Sequence, residues 1–303
     1  MSLLDTVQLG ESNVNISRMG FGAMHLADAA SCSPEAATTV LHRVLELGVT
    51  LIDTADRYCT NESDAHCNER QIAAALSTYT GDASTVCVAT KGGMLRPGGK
   101  WVRFGKPDHI RQTIRESFEA LGGDKPITLW QYHQYDRNYP LEETLSAVQE
   151  SVDKGLIQHV GVSNFTVDQL ERARQVVELV AVQNEFSLVC RAAEQDKVLE
   201  YCQREGLSFF AWRPLGGRYR AKQLNDNQAV VNLAAERNAS PQQLALAWLL
   251  AKSPQIVPIP GSTHLASVEA CVHAAAITLD EREIQLLEAS VGEEPPSLRL
   301  TTI

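Results

Sequence analysis

Short apolar runs alternate with helix-like segments eight times along this chain of 303 residues. The runs are rich in β-branched residues, and the segments between them space apolar residues as a helix does, which predicts parallel strands joined by helices. A hairpin formed by "VQLG" and "VNISRMG" is expected before them. The predicted strands cover residues 19–24, 50–55, 86–91, 127–133, 159–164, 180–186, 208–215 and 256–260.

Helix start and stop signals support this alternation. Ser33 and Pro34 form an N-cap and first-turn pair before "EAATTVLHRVLE", and Gly48 can end that helix in a left-handed conformation. Ser240 and Pro241 begin another helix, "QQLALAWLLAK", which is apolar around most of its circumference and is therefore expected to be buried.

The parallel sheet could be a closed barrel or an open, doubly wound sheet. An open dinucleotide-binding sheet should carry G-x-G-x-x-G after its first strand, and Gly20 and Gly22 supply only half of that motif. We therefore expect a (β/α)8 TIM barrel with an amino-terminal β-hairpin. Because such barrels take about 250 residues as one domain, residues 1–303 are expected to form a single domain.

Four chemically active residues follow three neighbouring predicted strands. Asp53 and Tyr58 come from "TLIDTADRY", Lys91 from "VCVATKGG", and His133 from "ITLWQYHQYD". The carboxyl ends of parallel strands meet at one edge, where α/β folds carry their active sites. Each residue alone could be structural, as a salt-bridge partner, a solvated charge, a packed aromatic or a buried histidine. Their joint placement favours a proton-transfer site.

The four residue types fit an acid–base site built on a phenol. An unperturbed tyrosine has a pKa of about 10, so proton transfer near neutral pH needs assistance. A neighbouring Lys91 ammonium would favour the tyrosinate and lower the pKa of Tyr58, and Asp53 would orient Lys91. His133 could hydrogen-bond a substrate carbonyl and polarise it.

Composition excludes several other functions. The formal net charge of −10 disfavours nucleic acid or an anionic membrane as a partner. No apolar stretch approaches the roughly 20 residues of a membrane span, and "MSLLDTVQLG" lacks a signal-like segment. A cytoplasmic protein is expected. A small carbonyl or alcohol is the partner that the site suggests, and the sequence does not indicate the oligomeric state.

The seven scattered cysteines suit reduced thiols better than a disulfide framework. Cys59, His66 and Cys67 could be interpreted as metal ligands, but no fourth ligand follows at a suitable spacing. We therefore expect no metal and interpret "YCTNESDAHC" as a polar loop.

The longest stretch without a pattern, "GGMLRPGGKWVRFG", follows Lys91. Long loops at the catalytic edge usually cover a site. Trp101 and Phe104 could line a substrate pocket there or anchor their own loop, and His25 and Tyr219 are further candidates for that pocket.

The sequence resembles the aldo-keto reductases over nearly its full length. The resemblance implies a barrel that binds NADPH and transfers hydride to an aldehyde or ketone, and it places the family's catalytic aspartate, tyrosine, lysine and histidine on Asp53, Tyr58, Lys91 and His133. Pyridoxal-reductase-type members are most similar around "RPLGG" and "IPGS". The matching stretches are "FGAM", "GVTLIDTADRY", "VATKGG", "WQYHQYD", "KGLIQHVGVSNF", "AVQNEFS", "RPLGG", "LALAWLLAKSPQIVPIPGS" and "ITLDEREIQLLE".

The resemblance also implies a cofactor site. Ser163, Asn164 and Gln183 match residues that bond the nicotinamide carboxamide, and Trp212 stands where a stacking tyrosine is usual. Backbone amides around Gly216 match the pyrophosphate-binding segment. The expected cofactor-binding residues are Gly22, Met24, Asp53, Ser163, Asn164, Gln183, Trp212, Arg213, Pro214, Leu215, Gly217, Gly261, Ser262 and Thr263.

Two positions depart from the family pattern. Relatives commonly bind the 2′-phosphate with a basic residue and contact adenine with an acidic residue and an asparagine, whereas in "GSTHLASVEAC" Thr263, Ser267, Ala270 and Cys271 occupy these places. NADPH is expected if His264, Arg213 or Arg218 supplies the missing charge, and NADH is the alternative. Cys59 replaces the glycine that usually follows the tyrosine.

Two other functions stay open at the sequence level. The family includes channel-associated subunits that hold a nucleotide and turn over slowly, so a nucleotide-binding sensor is the main alternative. A barrel that has lost the nucleotide and binds another ligand is the second.

Overall fold

The computed structural model describes residues 4–28 and 32–291. No helix within these ranges is both long and apolar enough to cross a membrane. The strands in these ranges are β1 (Thr6–Gln8), β2 (Asn15–Ser17), β3 (Phe21–Gly22), β4 (Leu51–Asp53), β5 (Cys87–Gly92), β6 (Met94–Leu95), β7 (Val102–Arg103), β8 (Ile127–Tyr132), β9 (Ile157–Ser163), β10 (Leu179–Glu185), β11 (Ser208–Trp212) and β12 (Ile256–Pro258).

Helices follow most of the parallel strands. The α-helices are α1 (Pro34–Glu46), α2 (Cys67–Thr78), α3 (Pro107–Ala120), α4 (Leu141–Asp153), α5 (Val167–Ala173), α6 (Ala192–Gln195), α7 (Val198–Arg204), α8 (Gly217–Asp226), α9 (Gln228–Glu236), α10 (Pro241–Lys252), α11 (Leu265–His273) and α12 (Glu281–Ser290). Short 3₁₀ helices cover Met24–Ala27, Glu62–Asp64, Pro97–Gly99 and Ala274–Ala276.

Eight parallel strands form one sheet in the order β3-β4-β5-β8-β9-β10-β11-β12. Main-chain hydrogen bonds join its two edges, because Gly20 N–H donates to Pro258 O at 3.0 Å and Gly22 N–H donates to Pro260 O at 3.0 Å. The predicted (β/α)8 barrel is confirmed, and β1 and β2 form the expected amino-terminal hairpin.

The hairpin closes the amino-terminal end of the barrel. Leu9 and Ile16 are fully buried and pack in one cluster with the inward-facing strand residues Leu51, Leu129 and Phe210. Because successive strand residues face opposite sides, this interior cluster is distinct from the larger one between the sheet and the surrounding helices.

The predicted helix caps are confirmed. The Ser33 side chain accepts a hydrogen bond from the N–H of Ala36, and Ser240 forms a reciprocal capping box with Gln243. Gly48 adopts φ 88°, the left-handed conformation expected after α1. The middle of the apolar helix α10, residues 244–249, is buried, as its sequence predicts.

Four strands are clearly shorter than the sequence predicts, and one loop contains an additional strand pair. Strand β3 covers only Phe21–Gly22 of the predicted 19–24, and β4 covers only Leu51–Asp53 of the predicted 50–55. Strand β11 stops at Trp212 instead of continuing to residue 215, since Arg213 has φ 48° and Pro214 cannot donate a ladder hydrogen bond. Strand β12 stops at Pro258 because Pro260 follows, and a proline cannot donate a ladder hydrogen bond. The loop after Lys91 contains the antiparallel pair β6–β7, whose two-residue strands are too short for a sequence pattern.

Two glycines allow the edges of the barrel to approach each other. A Cβ built on Gly22 would lie 2.9 Å from the carbonyl oxygen of Ile259, and one built on Gly261 would overlap the carbonyl oxygen of Gly22. Both contacts are with backbone, which cannot rotate away. The closing contact of the barrel therefore requires glycine at both positions.

We expect Gly261→Ala to lower the free energy of unfolding by roughly 2–3 kcal/mol, the scale of an overpacked site. Gly155→Ala is the control, because it introduces a Cβ at φ 71° with no heavy atom within 4 Å and should cost only about 1–2 kcal/mol for the left-handed backbone. Urea unfolding of both variants measures the difference. A Gly261→Ala protein as stable as the wild type would contradict the close packing of this seam.

Candidate active site

The interior of the barrel changes from apolar to polar along its strands. On β5 the inward residues Cys87 and Ala89 belong to the interior cluster, and the next residue on that face is Lys91. On β4 the same step leads from Leu51 to Asp53. Since parallel strands end together, these polar residues form one layer at the carboxyl end of the barrel.

Lys91 is the centre of this layer. Its Nζ donates to Asp53 Oδ2 at 2.8 Å, to the Thr54 carbonyl oxygen at 2.8 Å and to the Tyr58 hydroxyl at 2.9 Å. Lys91 is fully buried and Asp53 is 2% exposed. All three protons of the ammonium therefore have acceptors, which is the condition for keeping a charged lysine inside a protein.

The second oxygen of Asp53 is held by amides. Gln183 Nε2 donates to Asp53 Oδ1 at 2.7 Å, and Gln131 Nε2 lies 3.5 Å from the same oxygen. Sequence reasoning missed Gln131, which is fully buried. It lies two residues before His133 on β8, so the period of two along a strand was the signal that could have identified it.

His133 and Trp101 contact the Tyr58 ring and each other. The rings of Tyr58 and His133 meet edge to face with centroids 6.0 Å apart. Trp101 lies 6.4 Å from Tyr58 and 5.6 Å from His133. The structure thus brings together Asp53, Tyr58, Lys91 and His133, with Trp101 in edge contact with Tyr58 and His133.

Burial decides the protonation of the phenol and the ammonium. Desolvation raises the pKa of Tyr58 above its ordinary value of 10.0, although the Lys91 charge acts in the opposite direction. The sequence-based expectation that Lys91 lowers the pKa of Tyr58 is therefore not met, because desolvation of the phenol has the larger effect. Burial lowers the pKa of Lys91, but Asp53 and Tyr58 more than offset this and leave it above its usual 10.5. At neutral pH the site holds a protonated phenol beside an ammonium.

His133 is neutral in the same surroundings. Burial, followed by the positive charge of Lys91, lowers its pKa well below 6.5. Its Nδ1 is buried and has no hydrogen-bond partner among the described residues. Because an unpaired buried N–H is more costly than an unpaired ring nitrogen, the proton belongs on Nε2, where it can be donated to a ligand.

The residues matched to a nicotinamide site lie beside this group. Asn164 adopts φ 62°, and its Nδ2 donates to the His133 carbonyl oxygen at 3.1 Å. Trp212 Nε1 donates to Asn164 Oδ1 at 3.2 Å, and Ser163 Oγ donates to the Gln183 carbonyl oxygen at 2.9 Å. These contacts hold amide, hydroxyl and indole groups against the polar layer.

The segment after β11 folds as a tight turn. Gly216 N–H donates to the Arg213 carbonyl oxygen at 2.8 Å, Pro214 is buried, and Leu215 and Gly217 are half-buried. The Arg213 guanidinium lies 4.9 Å from the centre of the Trp212 ring and 3.9 Å from Glu185. The side chains of Arg218 and Tyr219 lie outside the described part of the structure.

The segment after β12 lies against β3. The close approach of Gly22 and Gly261 places Ser262 and Thr263 next to the start of the 3₁₀ helix that carries Met24 and His25. Met24 is 43% exposed. His264 is exposed at the N-cap of α11, with its N–H bonded to Ser262 Oγ at 3.0 Å.

The remaining pocket candidates separate into two groups. Trp101 contacts the polar layer, as described above. Phe104 instead packs against His109 and Tyr139, with ring centroids 4.9 Å and 6.0 Å away, and so anchors its own loop. His25 is exposed after β3.

A second buried charged cluster lies behind Tyr58 and was missed from the sequence. His66 Nδ1 lies 2.6 Å from Glu69 Oε2, and its Nε2 lies 3.2 Å from Glu116 Oε2. The N–H of His66 donates to the Asp56 carbonyl oxygen at 2.7 Å, and the N–H of Asp56 donates to the Lys91 carbonyl oxygen at 2.9 Å. Burial raises the pKa of Asp56 to about 7. The cluster is therefore bonded directly to the strand that carries Lys91.

The cysteines of "YCTNESDAHC" contact the backbone of the Tyr58 segment. Cys59 Sγ donates to the Arg57 carbonyl oxygen at 3.4 Å, and Cys67 Sγ donates to the Tyr58 carbonyl oxygen at 3.3 Å. Both ring nitrogens of His66 contact carboxylate oxygens, those of Glu69 and Glu116. Across the described residues no group of three or more histidine, cysteine, aspartate or glutamate side chains could hold a metal ion.

Comparison with known proteins agrees with this arrangement. The model of the aldo/keto reductase family matches residues 18–291, which include all the residues of the polar layer. The chain belongs to the aldo/keto reductase family and is an oxidoreductase.

Two curated relatives cover almost the whole chain. An uncharacterised oxidoreductase of Schizosaccharomyces pombe is 38% identical over 288 residues, covering 93% of this chain and 89% of the relative. Pyridoxine 4-dehydrogenase of Escherichia coli is 32% identical over 294 residues, covering 94% of this chain and 97% of the relative.

Solved structures share the fold. A thermostable aldo-keto reductase in complex with the inhibitor epalrestat has a TM-score of 0.80 and 27% identity, covering 95% of this chain and 100% of its own. An aldo-keto reductase of Klebsiella pneumoniae in complex with NADP and acetate has a TM-score of 0.81 at 23% identity, covering 98% of this chain and 99% of its own, which shows the fold alone.

The raised pKa of Asp56 gives a prediction for stability. A carboxyl group that titrates near 4 when unfolded and at about 7 when folded makes the wild type less stable as pH rises through that window, because the folded state must give up a tightly held proton. Asp56→Asn lacks this loss. Its free energy of unfolding relative to wild type should rise between pH 4 and 7, by about 1.4 kcal/mol for each pH unit that separates the folded from the unfolded pKa.

Urea unfolding at a series of pH values measures this difference. Asp82→Asn is the control, because a hydrogen bond from Ser84 holds the pKa of Asp82 below its ordinary value. Its pH-dependent contribution to stability therefore lies mostly below pH 4, and its difference from wild type should change little between pH 4 and 7. A difference for Asp56→Asn that does not vary with pH would contradict the assignment of a buried, proton-binding Asp56.

Proposed function

We propose that this protein reduces an aldehyde or ketone to the alcohol with a nicotinamide cofactor, and that Tyr58 is the general acid. The observation that carries the proposal is the hydrogen bond of 2.9 Å from Lys91 Nζ to the Tyr58 hydroxyl. It joins a protonated phenol to a buried cation at the carboxyl end of the barrel. The matched range 18–291 supports a single catalytic domain.

In the reductive direction the carbonyl oxygen of the substrate takes the Tyr58 proton as the carbonyl carbon takes hydride. The phenolate that forms is stabilised by the Lys91 ammonium, which is already bonded to the oxygen. Asp53 holds Lys91 in place on the other side. In the oxidative direction the phenolate accepts the proton of the alcohol, so oxidation should be favoured at higher pH than reduction.

His133 and Trp101 have separate tasks in this mechanism. The neutral His133 ring can donate from Nε2 to the substrate carbonyl and orient it without competing with Tyr58 for proton transfer. Trp101 covers Tyr58 and His133 edge-on and helps to exclude water from the reacting carbonyl. Its indole face also suits an aromatic substrate, as the name of the Escherichia coli relative suggests.

The residues present fit a nicotinamide cofactor, which supplies or accepts the hydride when bound. Ser163, Asn164 and Gln183 offer hydroxyl and amide groups to a carboxamide, and Trp212 offers a half-buried indole face. NADPH is the proposed cofactor, with NADH as the alternative.

Replacing Tyr58 by Phe should lower carbonyl reduction at least about a thousandfold, since it removes the proton donor and nothing else of the ring. Binding of NADPH, followed by quenching of tryptophan fluorescence, should stay within about threefold of wild type. Steady-state assays with a panel of aldehydes and the binding titration together make the measurement.

Tyr79→Phe is the matched control, because Tyr79 packs against His42, away from the barrel interior. Turnover by Tyr58→Phe at the wild-type rate would refute the role of Tyr58. Tight nucleotide binding by the wild type without turnover of any carbonyl would instead favour the nucleotide-binding sensor.

Variants of Arg213 and His264 can test which positively charged residue sets the preference for NADPH over NADH. Arg213 lies against Trp212 in the segment matched to the pyrophosphate, so Arg213→Gln should weaken NADPH and NADH binding by similar factors. His264 lies in the segment matched to the adenosine phosphate, so His264→Ala should weaken NADPH binding severalfold and leave NADH binding unchanged. Fluorescence titrations with each nucleotide distinguish the two, and equal losses for His264→Ala would show that it does not read the 2′-phosphate.

A further inference from the structure

The loop that covers the candidate active site has a charge opposite to that of the chain. Residues 91–107 contain no aspartate or glutamate, whereas the whole chain has a formal net charge of −10. Lys91 is neutralised inside the barrel by Asp53. The other cations of this stretch are Arg96, Lys100, Arg103 and Lys106.

The β6–β7 hairpin fixes the position of one of these cations. Leu95 pairs with Val102 in the antiparallel register, so the next residues outward, Arg96 and Trp101, face each other across the tip. The Arg96 guanidinium carbon lies 4.2 Å from the centre of the Trp101 ring. Because Trp101 is in edge contact with Tyr58 and His133, Arg96 is one aromatic ring away from the proposed proton donor.

The Arg96 guanidinium has no ion-pair partner in the described part of the chain. Asp53 is paired with Lys91, and the Glu62 carboxylate is paired with Arg57 Nε at 2.9 Å. Glu62 contacts Arg96 only through the Arg96 backbone N–H. The Arg96 Nε is buried without a hydrogen-bond partner, and within residues 4–28 and 32–291 no carboxylate forms an ion pair with its guanidinium.

The other loop arginine is placed differently. The Gln134 amide, oriented with its carbonyl towards Arg103, accepts from the Arg103 guanidinium at 2.7 Å. Arg103 is exposed, and its charge contributes to the field of the loop but already has a directional partner. A comparison of variants at Arg96 and Arg103 can therefore distinguish a local contact with the ligand from a general electrostatic effect of the loop.

We infer that the substrate carries an anionic group in addition to its carbonyl, and that Arg96 binds that group. The inference rests on the proposed function and specifies its substrate class. A guanidinium offers paired N–H donors that match a carboxylate or phosphate, and stacking on Trp101 holds its plane in place. The substrate would place its carbonyl at Tyr58 and His133 and its anionic group beyond Trp101.

The test compares two probes that differ in charge. The probes are 4-carboxybenzaldehyde and its methyl ester, assayed with the wild type, Arg96→Gln, Arg96→Lys and Arg103→Gln. We expect Arg96→Gln to lower kcat/KM for the acid roughly ten- to a hundredfold, the effect of one charge-assisted hydrogen bond, through KM more than kcat. The ester should change by less than about threefold. Arg96→Lys should restore part of the loss, and Arg103→Gln should have little effect at physiological salt.

A second readout does not depend on turnover. Terephthalate, which has no reducible carbonyl, should quench Trp101 fluorescence in the wild type with a dissociation constant that rises at least tenfold in Arg96→Gln. Equal turnover of acid and ester, with equal losses in Arg96→Gln, would overturn the inference and leave the proposed reductase intact. Equal losses on the acid in Arg96→Gln and Arg103→Gln would overturn a specific contact in favour of a general field. No turnover of either aldehyde by the wild type would count against the proposed function itself, and the terephthalate titration would then decide the anion site alone.

Discussion

The ion pair between Lys91 and Asp53 is the constraint that the rest of the site must satisfy. Both charges are buried, and charges removed from water are tolerated only when each is paired and fully hydrogen-bonded. The pair reaches this state by using the Tyr58 hydroxyl, the Thr54 carbonyl and the Gln183 amide. The contacts that offset the desolvation cost of the buried pair therefore also fix the position of the reactive phenol and align strands β4, β5 and β10.

Sequence reasoning succeeded where the signal was local or periodic. The eight strands follow from apolar runs, the helix starts at Ser33 and Ser240 follow from capping chemistry, and Asp53, Lys91 and His133 follow from their places at strand ends. Gln131 was within reach of the same period, because it precedes His133 by two residues. The contact between His66 and Glu69 is local to the start of α2, but Asp56 and Glu116 join it only when α2 packs in the folded chain.

The direction in which the pKa of Tyr58 is displaced could be determined only from the structure, because burial and charge act on it in opposite directions. From residue types alone, Lys91 lowers the pKa of Tyr58. In the folded chain desolvation of the phenol is the larger effect, and the site is poised as a proton donor. The polar layer inside the barrel, which is neutral overall, holds the proton to be transferred. The loop tip at Arg96 is positively charged and can bind a part of the ligand that lies away from the reacting atoms.

The seam between β3 and β12 has a consequence for how the molecule is made. These two strands come from opposite ends of the barrel sequence, and their closing hydrogen bonds connect Gly20 with Pro258 and Gly22 with Pro260. During synthesis the strands that carry Asp53, Lys91 and His133 leave the ribosome long before β12 exists. One edge of the growing sheet is consequently open through most of translation, and the last strand converts a set of exposed polar side chains into a closed site.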